Sequence, residues 1–89
     1  MMDLKAKFED AVSRSGNLQQ KPENDELLKL YALYKQSING DVSGERPGGF
    51  DFKGAAKFDA WSKLKGIDPQ SSMQQYVELV GSLIEKYGG

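Results

Sequence analysis

Tyr31-Ala32-Leu33-Tyr34-Lys35, followed across a Pro- and Gly-bearing stretch by Lys53-Gly54-Ala55-Ala56-Lys57-Phe58-Asp59-Ala60-Trp61, decides how this chain folds. On a helix of about 3.6 residues per turn, positions i, i+3 and i+4 share a face, so Tyr31, Tyr34 and Lys35 are expected on one patch. Lys53 and Lys57 repeat the i, i+4 spacing in the next segment. Aromatic faces beside clustered ammonium groups suit a ligand with a flat ring and phosphates, and a phosphorylated nucleotide has both. Taken singly, a tyrosine is more readily a packing residue with a wet hydroxyl, and a lysine is a solvated surface group. Position moves the balance. Lys53 and Lys57 flank a helix start, where the macrodipole disfavours cations and a bound anion would offset that penalty.

The rest of the chain supplies two more helices around these two. From Asp3 to Arg14, Leu4, Phe8, Ala11 and Val12 form a helical stripe with Asp3 as N-cap, ended by Ser15-Gly16-Asn17. Pro22-Glu23-Asn24 introduces the second helix; Asn24 is its expected cap, with Asp25 and Glu26 in the first turn and Asn39-Gly40 as the stop. Its apolar arc runs through Leu27, Leu28, Leu30, Tyr31, Leu33, Tyr34 and Ile38. Asp41 to Phe52, with Gly44, Pro47, Gly48 and Gly49, has the composition and length of a crossover loop. A third helix is predicted from Gly54 to Lys65, with Phe58, Trp61 and Leu64 as its stripe and Gly66 as its stop; Trp61 reads as a packing residue. Asp68-Pro69 pairs an N-cap with proline at the first helical position, and the last helix continues through Met73, Tyr76, Val77, Val80, Leu83 and Ile84 to Tyr87. Gly81 inside it costs about 1 kcal/mol relative to Ala, which points to a close helix contact. Four helices without strands or repeats predict an all-α bundle, and the long third segment requires at least one crossover.

Composition narrows the function. Eighty-nine residues make one domain spanning 1–89, and 38% hydrophobic with 28% charged residues is ordinary for a globular protein. The chain has no histidine and no cysteine, so the commonest general base, the commonest metal ligand and every thiol nucleophile are missing. Absence of cysteine fits a reducing, cytoplasmic setting. Twelve Lys and Arg against 13 Asp and Glu give a net charge of −1, leaving no global field for nucleic acid or an anionic surface; any anion site must be local. No run approaches the roughly 18 apolar residues of a membrane span, and Met1 to Lys7 has no apolar h-region, so neither integral membrane association nor an address is expected. There is no nucleophile elbow and no Walker A loop; Gly48-Gly49 is a turn. The pairs Glu9-Asp10 and Asp25-Glu26 point apart on a helix. These absences argue against an enzyme and against a bound metal.

Several motifs in order carry a resemblance to a known family. LLKLYALYKQSINGD (Leu27 to Asp41), Arg46-Pro47-Gly48, Asp51-Phe52-Lys53-Gly54, Ala56-Lys57-Phe58-Asp59-Ala60-Trp61 and Leu64-Lys65-Gly66 closely resemble the acyl-CoA-binding protein family, with similarity from about Phe8 to Tyr87. The resemblance implies a four-helix bundle of up-down-down-up topology that binds medium- to long-chain acyl-CoA esters as a monomer, without turnover. It implies that Tyr31, Lys35 and Lys57 hold the 3'-phosphate, that Tyr34 lies against the adenine, that Lys53 and Tyr76 add ligand surface, and that Ala11 and Val12 lie near the adenine end. Three positions depart from the family pattern. Phe58 replaces a usual tryptophan, Ala55 a frequent basic residue, and Gly16 a basic residue near the end of the first helix, where Arg14 is two positions away. A generic helical interaction module is the competing class. It would bury Tyr31 and turn Lys57 to the far face, whereas a carrier would bring Tyr31, Lys35 and Lys57 to one open groove. A thioester hydrolase ranks last, since no histidine or cysteine can serve as base.

Overall fold

Each helix begins where a carboxylate can take up amides that the first turn leaves free. In the computed structural model, which describes residues 3–89, these helices are α1 (Leu4–Ser15), α2 (Asn24–Asn39), α3 (Phe52–Ser62) and α4 (Pro69–Tyr87). Asp3 accepts from the Ala6 amide and Asp68 from the Ser71 amide, both at 2.8 Å, as the sequence predicts. The other two starts differ. The N-cap of α2 is Glu23 rather than Asn24, because the Glu26 carboxylate reaches back to the Glu23 amide at 2.9 Å and closes a capping box there. For α3, Asp51 accepts from the Gly54 amide at 3.0 Å, so the helix opens at Phe52, two residues before the expected Gly54. Its α-helical part also stops at Ser62 rather than Lys65. From there the chain tightens into i to i+3 turns, Leu64 to Trp61 and Lys65 to Ser62, before Gly66 takes a positive φ of 94°.

Side-chain pairings fix the direction of every helix. Lys57 lies over Tyr31 and Lys35 over Trp61, a constant offset along both chains, so α2 and α3 run parallel. Glu26 meets Lys86 while Gln36 meets Ile67, so α4 runs against α2. Phe8 meets the Tyr76 ring at 5.1 Å between centroids, while the Gln19 amide, just past α1, donates to the Gly88 carbonyl, just past α4, at 3.1 Å, so α1 runs with α4. This is up-down-down-up. Parallel neighbours cannot be joined by a short turn, so the segment from Gly40 to Asp51 carries the chain back along α2 as the predicted crossover. Arg46 holds that segment to α3, with Nε and Nη2 donating to the two carboxylate oxygens of Asp59 at 2.8 and 3.0 Å.

Phe8 and Ala11 of α1, Leu30 and Leu33 of α2, and Tyr76, Val80 and Leu83 of α4 form the core. On the other side of α2, Ala55 and Trp61 are buried against it. A polar hub closes this second seam. Fully buried Gln36 donates to Asp41 Oδ1 at 2.9 Å and to the Ile67 carbonyl at 2.8 Å, and accepts from Trp61 Nε1 at 3.1 Å. The same indole also donates to the Gly40 carbonyl at 2.8 Å, and Asp41 Oδ1 takes the Gly66 amide at 2.8 Å. Trp61 is therefore a packing residue with a satisfied polar edge. Gly81 does not mark a close helix contact: a Cβ added there would meet nothing within 4 Å, and the position is exposed.

Candidate functional site

The parallel α2 and α3 leave an open groove between them, in two adjoining stretches that share Leu28 and Ala56. One stretch, of about 500 Å³, is walled by Leu28, Ala32, Ala56, Ala60 and Leu64 and edged by Asp25, Lys29, Asp59 and Lys63. The other, of about 420 Å³, is lined by Leu27, Leu28, Tyr31 and Phe52 and carries Lys21, Lys53 and Lys57. The groove is thus apolar along its walls and cationic at one end. Lys57 Nζ stands 5.3 Å from the centroid of the half-buried Tyr31 ring, close enough for cation–π attraction, and the lysine is exposed. Asp59 does not neutralise this end, because the Arg46 guanidinium engages it and holds its carboxyl below the usual aspartate range.

The other expected residues are divided between two faces. Lys35, one turn beyond Tyr31, places Nζ 5.0 Å from the Trp61 ring centroid, farther along the same seam. Tyr34 leaves it. Its ring stacks on Phe8 at 6.0 Å between centroids and tilts against Tyr76 at 6.4 Å. Residues three apart on a helix are separated by about 60° of rotation, and α2 is sandwiched, so Tyr31 falls toward α3 and Tyr34 toward α1 and α4. With Val12, Phe8, Ile38, Met73 and Lys5, Tyr34 lines a second concavity of about 290 Å³. Tyr76 is buried behind it at 4% exposure, its hydroxyl 3.1 Å from Ser15 Oγ, and burial pushes its phenol above the usual range so that it stays neutral. Ala11 is likewise buried, while Arg14 pairs with Asp10 at 2.9 Å on the exposed side of α1. Gly16 caps that helix.

Sequence reasoning missed the apolar wall (Leu28, Ala32, Ala56, Ala60) and the groove-end Lys21, together with Ile38 and Met73 of the second concavity. The i, i+4 pairs Leu28/Ala32 and Ala56/Ala60 were the available signal: two small or aliphatic ladders on neighbouring parallel helices leave room for a third body between them. Among the described residues no cluster of three or more acidic, histidine or cysteine side chains could hold a metal.

The fold and the site define a small all-α bundle with an open surface groove between two parallel helices. The family model described as Acyl CoA binding protein matches residues 5–80. Acyl-CoA-binding protein homolog 1 of Caenorhabditis elegans is 49% identical over 81 residues, covering 91% of this chain and 94% of that protein. The crystal structure of Oryza sativa Acyl-CoA-Binding Protein 2 superposes with a TM-score of 0.90 at 34% identity, over 94% of this chain and 93% of its own. That of the protein from Moniliophthora perniciosa gives 0.87 at 40% identity, over 96% and 83%. The chain belongs to the acyl-CoA-binding protein family.

Proposed function

We propose that this chain, as a single domain and as a monomer, binds medium- to long-chain acyl-CoA esters one to one and carries or buffers them without chemical turnover in the cytoplasm. The observation that carries the reading is the Lys57 and Tyr31 pair at the cationic end of an otherwise apolar open groove. An amphipathic ligand with an anionic head and a long alkyl tail matches both ends. Ten methylenes laid along the apolar wall would contribute of order 8 kcal/mol before ordering and association costs. Charge-assisted hydrogen bonds from Lys57, Lys35 and the Tyr31 hydroxyl to the 3'-phosphate add roughly 1.5–3 kcal/mol each and select CoA over a free fatty acid. Lys53 extends that end. The concavity of Tyr34 and Val12 takes the adenine, with Tyr76 and Ala11 behind it holding the Tyr34 ring and α1 in place. With no histidine or cysteine in the sequence, nothing near the thioester can serve as the usual base or nucleophile.

Calorimetric titration with palmitoyl-CoA, 3'-dephospho-palmitoyl-CoA, free CoA and palmitate tests this. Palmitoyl-CoA is expected to bind far more tightly than palmitate. Lys57→Ala should lose about ten- to a hundredfold in affinity for palmitoyl-CoA and little for the dephospho ligand, since both changes delete one interaction. Lys65→Ala, at the exposed turn after α3, is the control. Equal binding of palmitate and palmitoyl-CoA, or an equal loss for both CoA ligands in Lys57→Ala, would overturn the assignment.

A further inference from the structure

Two phenylalanines at the end of the crossover have no place in the core. Phe50 is 92% exposed and Phe52 73% exposed, and their rings meet edge to face with centroids 6.4 Å apart. Among the described residues only Ile38 is another large hydrophobic side chain so exposed, and it belongs to the second concavity. Isolated apolar side chains on a surface need no explanation, but two aromatic rings in contact on one tip form a patch. The tip is also held in shape. The Asp51 amide donates to the Gly48 carbonyl at 3.3 Å, the Phe52 amide to the Phe50 carbonyl at 3.0 Å, and Asp51 between the two rings caps α3. A held loop presenting two bare rings is a surface built to meet something apolar.

Charge beside the rings indicates what that is. Phe52 borders the same end of the groove as Lys21, Lys53 and Lys57, all three exposed. The carboxylate on the tip, Asp51, is turned to the Gly54 amide. Aromatic rings next to exposed lysines match the boundary of an anionic bilayer, where the rings enter between headgroups and acyl chains and the ammonium groups stay with the headgroups. We propose that this tip docks on anionic membrane surfaces, with Phe50 and Phe52 inserted and Lys21, Lys53 and Lys57 against acidic headgroups. Docking in this pose sets the cationic mouth of the groove at the bilayer, where an amphipathic ligand can pass between membrane and protein. That last consequence rests on the function proposed above; the docking itself does not.

The test is vesicle binding without any acyl-CoA present. Wild type is expected to co-sediment with phosphatidylcholine vesicles containing roughly 30% phosphatidylserine, weakly or not at all with pure phosphatidylcholine, and less as salt is raised. Phe50→Ser should reduce the partition at least tenfold while leaving the calorimetric affinity for palmitoyl-CoA in solution unchanged, because Phe50 does not line the groove. Phe50→Trp should retain binding, and its indole emission should shift to the blue when anionic vesicles are added. Failure of wild type to bind anionic vesicles would overturn the proposal, as would equal binding by Phe50→Ser or a Phe50→Trp emission that does not move. Self-association through the tip, seen by sedimentation equilibrium and removed by Phe50→Ser without vesicle binding, would also overturn it. Ligand affinity is read without vesicles and vesicle affinity without ligand, so either reading can fail alone.

Discussion

Gln36 has no exposed surface, yet its amide reaches three partners: Asp41, the Ile67 carbonyl and the Trp61 indole. A buried amide left without partners would cost more than the bonds return, so this residue and its neighbours stabilise the fold only as a set. Gln36→Leu and Trp61→Phe are each expected to cost about 1–3 kcal/mol in denaturant unfolding. The double variant should cost less than the sum, because both deletions remove the same Nε1 bond; a strictly additive result would show that the indole relies on the Gly40 carbonyl alone. At this scale the sequence was legible for apolar residues and opaque for polar ones. Trp61 announced its burial by its stripe. Gln36 lies three residues after Leu33 on the buried arc, but an amide inside an apolar arc looks the same whether it is satisfied or merely tolerated. The helical spacing predicted Tyr31 and Tyr34 on one patch, and the structure corrects that: helices pack on both sides of α2, so the two rings part, which spacing along one helix cannot say.

Helix ends depend on backbone conformations as well as on caps, and two glycines make the contrast measurable. Gly40 ends α2 with φ 81° and ψ −149°, a region hostile to any side chain, although an added Cβ would meet nothing within 4 Å. Gly40→Ala should therefore destabilise by about 1–3 kcal/mol through the backbone alone. Gly81 lies within α4, exposed, and its Cβ position is also open. Gly81→Ala should stabilise by roughly 0.5–1 kcal/mol, since the helix gains propensity and nothing is displaced. Opposite shifts of the denaturation midpoint check both at once; a loss from Gly81→Ala would mean that position is needed bare. The helix starts at Asp3 and Asp68 were legible because a short acidic side chain directly precedes the apolar stripe at the first and a proline suited to the first helical position at the second. That of α2 was displaced because two candidate caps compete within a few residues. Asn24 has the better intrinsic preference, yet Glu23 is selected by Glu26 three positions on. Asp51 was the signal for α3, hidden inside a stretch whose glycines read as loop.

Four carboxylates tie the molecule together, each held below its usual range by a partner from elsewhere in the fold or from a cap. Glu26 is lowered first by the Tyr87 hydroxyl and then by the Glu23 amide, clasping the start of α2 to the end of α4. Asp41 is lowered by the Gly66 amide and then Gln36, Asp59 by Arg46, and Asp68 by the Ser71 amide. When the folded pKa lies below the unfolded one, the stabilisation is complete above the ordinary carboxylate value of about 4 and is lost below it, as the pH falls through the lower folded pKa, because the unfolded chain takes up protons first. With no histidine in the sequence, nothing comparable titrates near neutrality. The denaturation midpoint should thus stay level from about pH 8 to 6 and fall below about pH 4.5, with a smaller fall in Glu26→Gln. A midpoint that already drops at about pH 6 would contradict this. The parallel pairing of α1 with α4 has a consequence for how the chain is made. Beyond the Tyr34 ring that stacks on Phe8, Phe8 and Ala11 are enclosed by Tyr76 and Val80, more than sixty residues later. While the ribosome is still synthesising the crossover and α3, the apolar face of α1 has only the Tyr34 edge of α2 to pack against, so the nascent chain waits with most of that face open and closes its core only once α4 has emerged.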